Sequence, residues 1–211
     1  MYFRTEGIIL SQKNFAEADK LLTIYTKNSG KISCLAKGAR RPLSKKAGHI
    51  ELGNLCSIFV AKGKNIDLLT EVDVKVAFGQ QDFSLEKDNK IYHLLEVVDH
   101  LTPTHQKNPE IFQLLANFLK SISQNDDFNL ISSIFKIKLL SLLGYFSATN
   151  LKESPTKTIL QKLEKEDLKS LTGSINLSTS NYLKLLSFLD SMIENLTERK
   201  LTTKKFVYGQ N

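Results

Sequence analysis

The spacing of apolar and polar positions changes period once along this chain. Over the first 80 residues, short apolar runs alternate with turn signals, the pattern of β-strands. Gly7–Leu10 forms a first run. Leu21–Thr26 and Lys31–Lys37 flank the turn signal Asn28-Ser29-Gly30 and read as a hairpin. Asn54–Lys62 is almost continuously apolar and ends at a second turn, Gly63-Lys64-Asn65. Beyond it, Ile66, Leu68, Thr70, Val72 and Val74 are expected on one face, with Asp67, Leu69, Glu71 and Asp73 mostly on the other. Five short strands with little helix predict a small closed barrel, because closure removes exposed sheet edges. The OB-fold is the first candidate, and strand counting alone leaves an SH3-like barrel open.

From Ser84 onward the period is helical. Ile91, Leu94, Leu95, Val98 and Leu101 make one apolar stripe, broken at Thr102-Pro103-Thr104. Asn108 is a cap and Pro109 a first helical residue for a second helix, with Ile111, Leu114, Leu115, Phe118 and Leu119 facing inward. A third helix starts at Asp126 or Asp127 and should stop at Gly144. Residues 147–180 are rich in Ser, Thr and Lys, with a short helical piece near 159–171, and a last helix covers about 180–199. The expected fold class is therefore α+β: an OB-fold barrel over residues 1–80, then an all-helical domain over 81–211. No run approaches the ~18 apolar residues of a membrane span, and MYFRTEGIIL lacks the pattern of a signal peptide. A cytoplasmic protein is expected. Cys34 and Cys56 are expected to be buried free thiols, too few for a zinc site.

Charge sharpens this picture. Of the formal net charge of +7, residues 1–80 carry +6. Eight basic residues and no acid lie between Lys20 and Ile50. The densest part, KGARRPLSKKAGH over residues 37–49, holds five Lys/Arg and a histidine. Two glycines and a proline predict a flexible loop there rather than a helix. Such a run is often only a solvated face, but its asymmetry points to a polyanionic partner. Gly38 has Leu43, not glycine, at the P-loop spacing, which argues against a nucleotide-binding loop.

TEGIIL and NFAEADKLLTIYTKNSGKISCLAKGARRPLSKKAGHIELGN together resemble the N-terminus of the RecO family, with weaker echoes at KLLSLLGY (138–145) and LTTKKF (201–206). The resemblance implies an OB-fold followed by a helical domain, in a non-enzymatic bacterial mediator of DNA repair and recombination that needs no cofactor. It implies binding to single- and double-stranded DNA, annealing of complementary strands, and work with RecR. It further implies contact with the C-terminal tail of single-strand-binding protein, indirect service to the RecA recombinase, and a place at the bacterial nucleoid. A hydrophobic groove in the helical domain is expected to take that tail; Lys136 and Lys138 read first as ordinary solvated lysines, with rim charges of that groove as the alternative. Many members carry a four-cysteine zinc knuckle after the LLGY-like block. Here that stretch reads FSATNLKESPTKTILQKLEKEDLKS, without Cys or His, so zinc does not carry over. A zinc-free member is one reading, and hydrophobic packing of the short helix alone is another.

The residues expected to touch DNA are Lys37, Arg40, Arg41, Lys45, Lys46, Lys31 and Lys27. Guanidinium groups grip phosphate bidentately and stack on unpaired bases, while lysines add point charge. None of this reads base order. Six phosphate contacts predict a fall of log K with log[salt] of slope about −4 on single strands. Phe15 and Tyr25 are candidate stacking rings, and Phe59 is expected in the core. Two other classes stay open: a general OB-fold RNA-binding or ribosome-associated module, and a metal-dependent enzyme using His93, Glu96 and His100 on one helix face.

Overall fold

The N-terminal alternation closes on itself. In the computed structural model, β1 (Tyr2–Phe15), β2 (Asp19–Thr26), β3 (Gly30–Ala36), β4 (Leu55–Ala61) and β5 (Asp67–Val76) form a closed barrel in the order β1-β2-β3-β5-β4. This is an OB-fold barrel. The structure describes residues 1–78, 85–124, 127–171, 175 and 177–207, without the side chains of 85–87, 123–124 and 168–169. β1 is much longer than its apolar run because it serves two neighbours. Tyr2–Ile8 pairs with β4, Gly7–Phe15 pairs with β2, and a bulge between Ile9 and Ser11 bends the strand. β3 and β5 run parallel and meet only at Cys34–Asp67 and Leu35–Leu68.

Ile9, Leu22, Ile24, Ile32, Cys34, Cys56, Ile58, Val60 and Leu69 fill the barrel. Both cysteines are free thiols. Burial pushes each up to about 12, so both stay protonated at neutral pH. β5 departs from the expected alternation. Its register shifts opposite Phe59 and Val60, and Thr70 turns outward to donate to the Phe59 carbonyl at 2.8 Å. That bulge carries Leu69 into the core in place of Leu68 and Thr70.

Two long helices pack with the barrel in the first of two compact units, Met1–Ser123 with Leu201–Asn211. α1 (Leu85–Leu101) lies on β1; its expected start at Ser84 lies outside the described residues, as does the expected boundary at 80. α2 (Pro109–Gln124) begins as its sequence predicts, with Asn108 Oδ1 accepting from the amides of Glu110 and Ile111 at 3.1 and 3.2 Å. The connection between them crosses the start of β3, where the His105 amide donates to the Lys31 carbonyl at 2.8 Å. Gly30 is required there: its φ is +65°, and a Cβ would meet the Gln106 carbonyl oxygen at 2.0 Å.

The His93–Glu96 face of α1 is occupied by the returning C-terminal segment. The Glu96 carboxylate accepts from the amides and hydroxyls of both Thr202 and Thr203, and Thr203 Oγ1 lies 2.8 Å from His93 Nδ1. A short helix, numbered α7 below, follows at Lys204–Val207. Burial alone would raise the Glu96 pKa, but these hydrogen bonds outweigh it and hold the group below the usual carboxylate range. A depressed folded-state value means stability that is present above the ordinary carboxylate pKa and lost as pH falls through the folded one. Glu96→Ala should therefore release this segment at neutral pH. Amide exchange at Thr202 and Thr203 would accelerate, while exchange in β1–β5 stays slow; unchanged protection in the variant would contradict this attachment.

The second unit is Gln124–Lys200. α3 (Phe128–Leu142) is capped by Asp127, whose Oδ1 accepts from the Leu130 amide at 3.1 Å, and Gly144 at φ +78° follows its end. Asp126, the other expected start, lies outside the described residues. α4 (Pro155–Lys165) and α6 (Thr179–Thr197) are capped by Ser154 and Ser178, with a single turn, α5 (Leu168–Leu171), between them. α3 is buried around most of its circumference. Lys136 is therefore not a rim charge: it is fully buried, 2.6 Å from the equally buried Asp190 carboxylate. Lys138 is not a solvated rim charge either, since it donates to the Glu164 carbonyl at 2.9 Å. No helix among the described residues is long and apolar enough to cross a membrane.

Candidate nucleic-acid interface

The basic loop joins β3 to β4 over residues 37–54, and it is pinned rather than free. Asp19 Oδ1 accepts from the Gly38 amide at 2.8 Å, and the Ala18 carbonyl accepts from the Arg40 amide at 2.9 Å. Ala39 and Ile50 are buried anchors. Successive turns from Gly38 to Ser44 lead into one turn of 3-10 helix at Ala47–His49. The His49 carbonyl then accepts from Asn54 Nδ2 at 3.2 Å and from the Cys56 thiol at 3.3 Å. Side chains on such a loop lose less entropy on binding than those on a free tether.

Four of the seven expected residues are exposed on this loop: Lys37, Arg40, Arg41 and Lys45. Among the described residues, the side chains of Lys37, Arg41 and Lys45 make no hydrogen bond or ion pair. The Arg40 guanidinium rests on the β1–β2 turn, donating to the carbonyls of Ala16 and Glu17 at 3.5 and 3.2 Å. Those bonds hold the group without neutralising it. Lys46 is half-buried; its ammonium donates to the Leu69 carbonyl at 2.9 Å and closes the gap where β3 and β5 part.

The other two lysines are placed differently. Lys27 stands at the β2–β3 turn in an exposed pair with Glu6 at 3.2 Å. Lys31 is buried, and its ammonium binds both the Asp99 carboxylate at 3.0 Å and the Asp99 carbonyl. It fastens β3 to α1 and leaves the surface set. Nothing local to Lys31 signals this, because Asp99 is 68 residues away.

Tyr25, which the sequence leaves equally open to core and platform, is core, while Phe59 sits elsewhere than expected. Tyr25 is buried, with its hydroxyl 3.4 Å from the Asn108 carbonyl. Phe59 is not core: it stacks on Tyr2 on the barrel's outer surface, since inward positions on β4 are Cys56, Ile58 and Val60. Phe15 is exposed at the end of β1, next to the turn that holds Arg40.

The second unit holds a separate feature. An apolar groove of about 710 Å³ runs between α4 and α6, lined by Phe146, Leu151, Ile159, Leu185 and Phe188 and bordered by Lys152, Lys157 and Lys184. The stretch for which the family resemblance raises a zinc knuckle lies here. It has no Cys or His, and among the described residues no group of three or more His, Cys, Asp or Glu is placed to hold a metal, so the residues do not fit a zinc site. Hydrophobic contact is only part of what holds this stretch. Leu160 and Leu163 are buried, and the Glu164 carboxylate accepts from Ser141 Oγ at 2.7 Å and the Ala148 amide at 3.1 Å.

Models of two regions of one family match the chain: Recombination protein O N terminal over residues 1–78 and Recombination protein O C terminal over 91–150. Curated relatives match as well. The DNA repair protein RecO of Acetivibrio thermocellus is 36% identical over 145 residues, covering 68% of this chain and 58% of the relative. That of Dehalococcoides mccartyi is 33% identical over 143 residues, covering 68% and 56%. That of Caldicellulosiruptor bescii is 35% identical over 147 residues, covering 68% and 59%. The chain thus spans under three-fifths of the length of these relatives. With an OB-fold barrel under the first model, helices under the second, and the two models together taking in well over half of the residues, the chain belongs to the recombination protein O, or RecO, family.

Proposed function

We propose that this chain acts in DNA repair and recombination as a non-catalytic mediator, holding DNA on its barrel and annealing complementary strands. One observation carries the reading: Lys37, Arg40, Arg41 and Lys45 project from a pinned loop, none neutralised by an acid among the described residues. Single and double strands offer such a loop the same phosphates, without regard to sequence. Binding that rests on released counterions is firm at low salt and easily reversed, as a factor that must let go after pairing requires.

The groove in the second unit supports a second part of the reading. Exposed Phe188, with Lys152 and Lys184 beside it, suits a short segment that is both acidic and apolar, such as the C-terminal tail of single-strand-binding protein; the third lysine, Lys157, is already paired with Glu153 at 2.6 Å. RecR as a partner, delivery of strands to RecA, and a place at the bacterial nucleoid follow from family membership and are part of the proposal.

Annealing of complementary strands precoated with single-strand-binding protein tests it. The chain should accelerate annealing of bare and of coated strands. Phe188→Glu should keep the first activity and lose most of the second. Absence of acceleration on either kind of strand would overturn the proposal.

A further inference from the structure

OB-fold barrels commonly receive oligonucleotides on the outer face of β2 and β3. Here the start of that face is covered. Tyr25 and Lys31 are buried where residues 104–108 cross it, Leu35 is buried as well, and the positions left, Leu21, Thr23 and Ser33, offer no ring. An exposed ring lies instead around the barrel, on β1, against a half-buried ring on β4. Tyr2 is 64% exposed and stacks on Phe59 with centroids 5.6 Å apart and planes 20° from parallel. The Arg4 guanidinium lies 5.1 Å from the Phe59 centroid.

The charge around these rings favours a polyanion. Arg4 is tied to Glu71 at 2.7 Å, but both side chains are more than half exposed, so a phosphate can compete for the guanidinium. The neighbouring β4–β5 turn exposes Lys62 and Lys64. Glu6, on the same face, is already bridged by Lys27 and Lys75. The platform also adjoins the basic loop. Lys46 holds the Leu69 carbonyl, Leu69 pairs with Val60, and Val60 pairs with Phe3 next to Tyr2. Two strand spacings, about 10 Å, separate the loop's anchor from β1.

We propose that unpaired bases of a single strand stack on the Tyr2–Phe59 pair, so that a strand gripped by the basic loop runs over β5 and β4 rather than over β2 and β3. This inference rests on the DNA-binding reading above and goes beyond it in naming where bases, not phosphates, are held. Stacking needs a free base face, so the platform discriminates single strands from duplex, which the loop does not.

The test is fluorescence anisotropy with a mixed-sequence single strand and with a duplex, on the full chain and on Tyr2→Ala. Tyr2 is exposed at a strand end, so the variant should melt like the parent. Single-strand affinity should fall about tenfold with the salt slope unchanged, and duplex affinity should stay within about twofold. Photocrosslinking of a 5-iodouracil strand to the unmodified chain should label Tyr2 or Phe59. Equal affinity of parent and variant for single strands, or crosslinks confined to the β2–β3 face, overturns the platform while leaving the loop reading intact. A parent chain that binds neither oligonucleotide overturns both.

Discussion

Replacing both loop arginines by glutamate, Arg40→Glu with Arg41→Glu, should lower affinity for single-stranded DNA on the order of 100-fold at physiological salt. Each arginine supplies a charge-assisted hydrogen bond of about 1.5 kcal/mol or more, and the two effects multiply. Reversal is more severe than removal, because new carboxylates would stand near Glu17 and Asp19, whose turn already faces the loop. The salt slope on single strands should shrink by about 1.4, roughly 0.7 for each phosphate that is no longer gripped. Both residues are exposed, so the melting temperature should hardly move. Duplex binding should fall as well, since the proposed phosphate contacts are open to both forms. If affinity for both forms survived the double reversal, the loop could not be the binding element.

The largest expected effect on stability lies in the second unit. Lys136→Met leaves the Asp190 carboxylate fully buried opposite a thioether. Removing one partner of a buried pair costs about 3–5 kcal/mol, a large share of the roughly 5–15 kcal/mol typical of a whole protein. The melting transition of this unit should drop by about 10 °C or more. The double variant Lys136→Met with Asp190→Leu should recover most of that stability, since two apolar groups need no solvation. Recovery would separate loss of the Lys136 ammonium opposite Asp190 from simple overpacking. A single variant as stable as the parent would show that the pair is not buried as described.

Much of this molecule was legible in its sequence, and the gaps have physical causes. The hairpin turn at Asn28-Ser29-Gly30, the capping by Asn108 and Asp127 and the stop at Gly144 are local devices, decided by neighbours in sequence. The reversed face of β5 depends on a one-residue bulge at Thr70, which alternation cannot reveal. Lys31 and Lys136 looked like surface charge because lysine is rarely buried, yet each meets an aspartate far along the chain. For Lys136 a signal was present: FNLISSIFKIKLLSLL is apolar on nearly every side, the composition of a central helix. The position of the positive loop could be read directly. Its rigidity could not, because the anchoring bonds come from Ala18 in the β1–β2 turn, Asp19 on β2 and the Leu69 carbonyl on β5.

Positive groups held on an OB-fold barrel are expected to bind polynucleotide backbones whatever their bases. Equilibrium binding of a mixed-sequence single strand across a salt series tests this most directly. Four phosphate contacts, from Lys37, Arg40, Arg41 and Lys45, give an expected slope of log K against log[salt] of about −3, the same for strands of different base order. A slope near zero, or no retention of the strand at the lowest salt, would contradict the account.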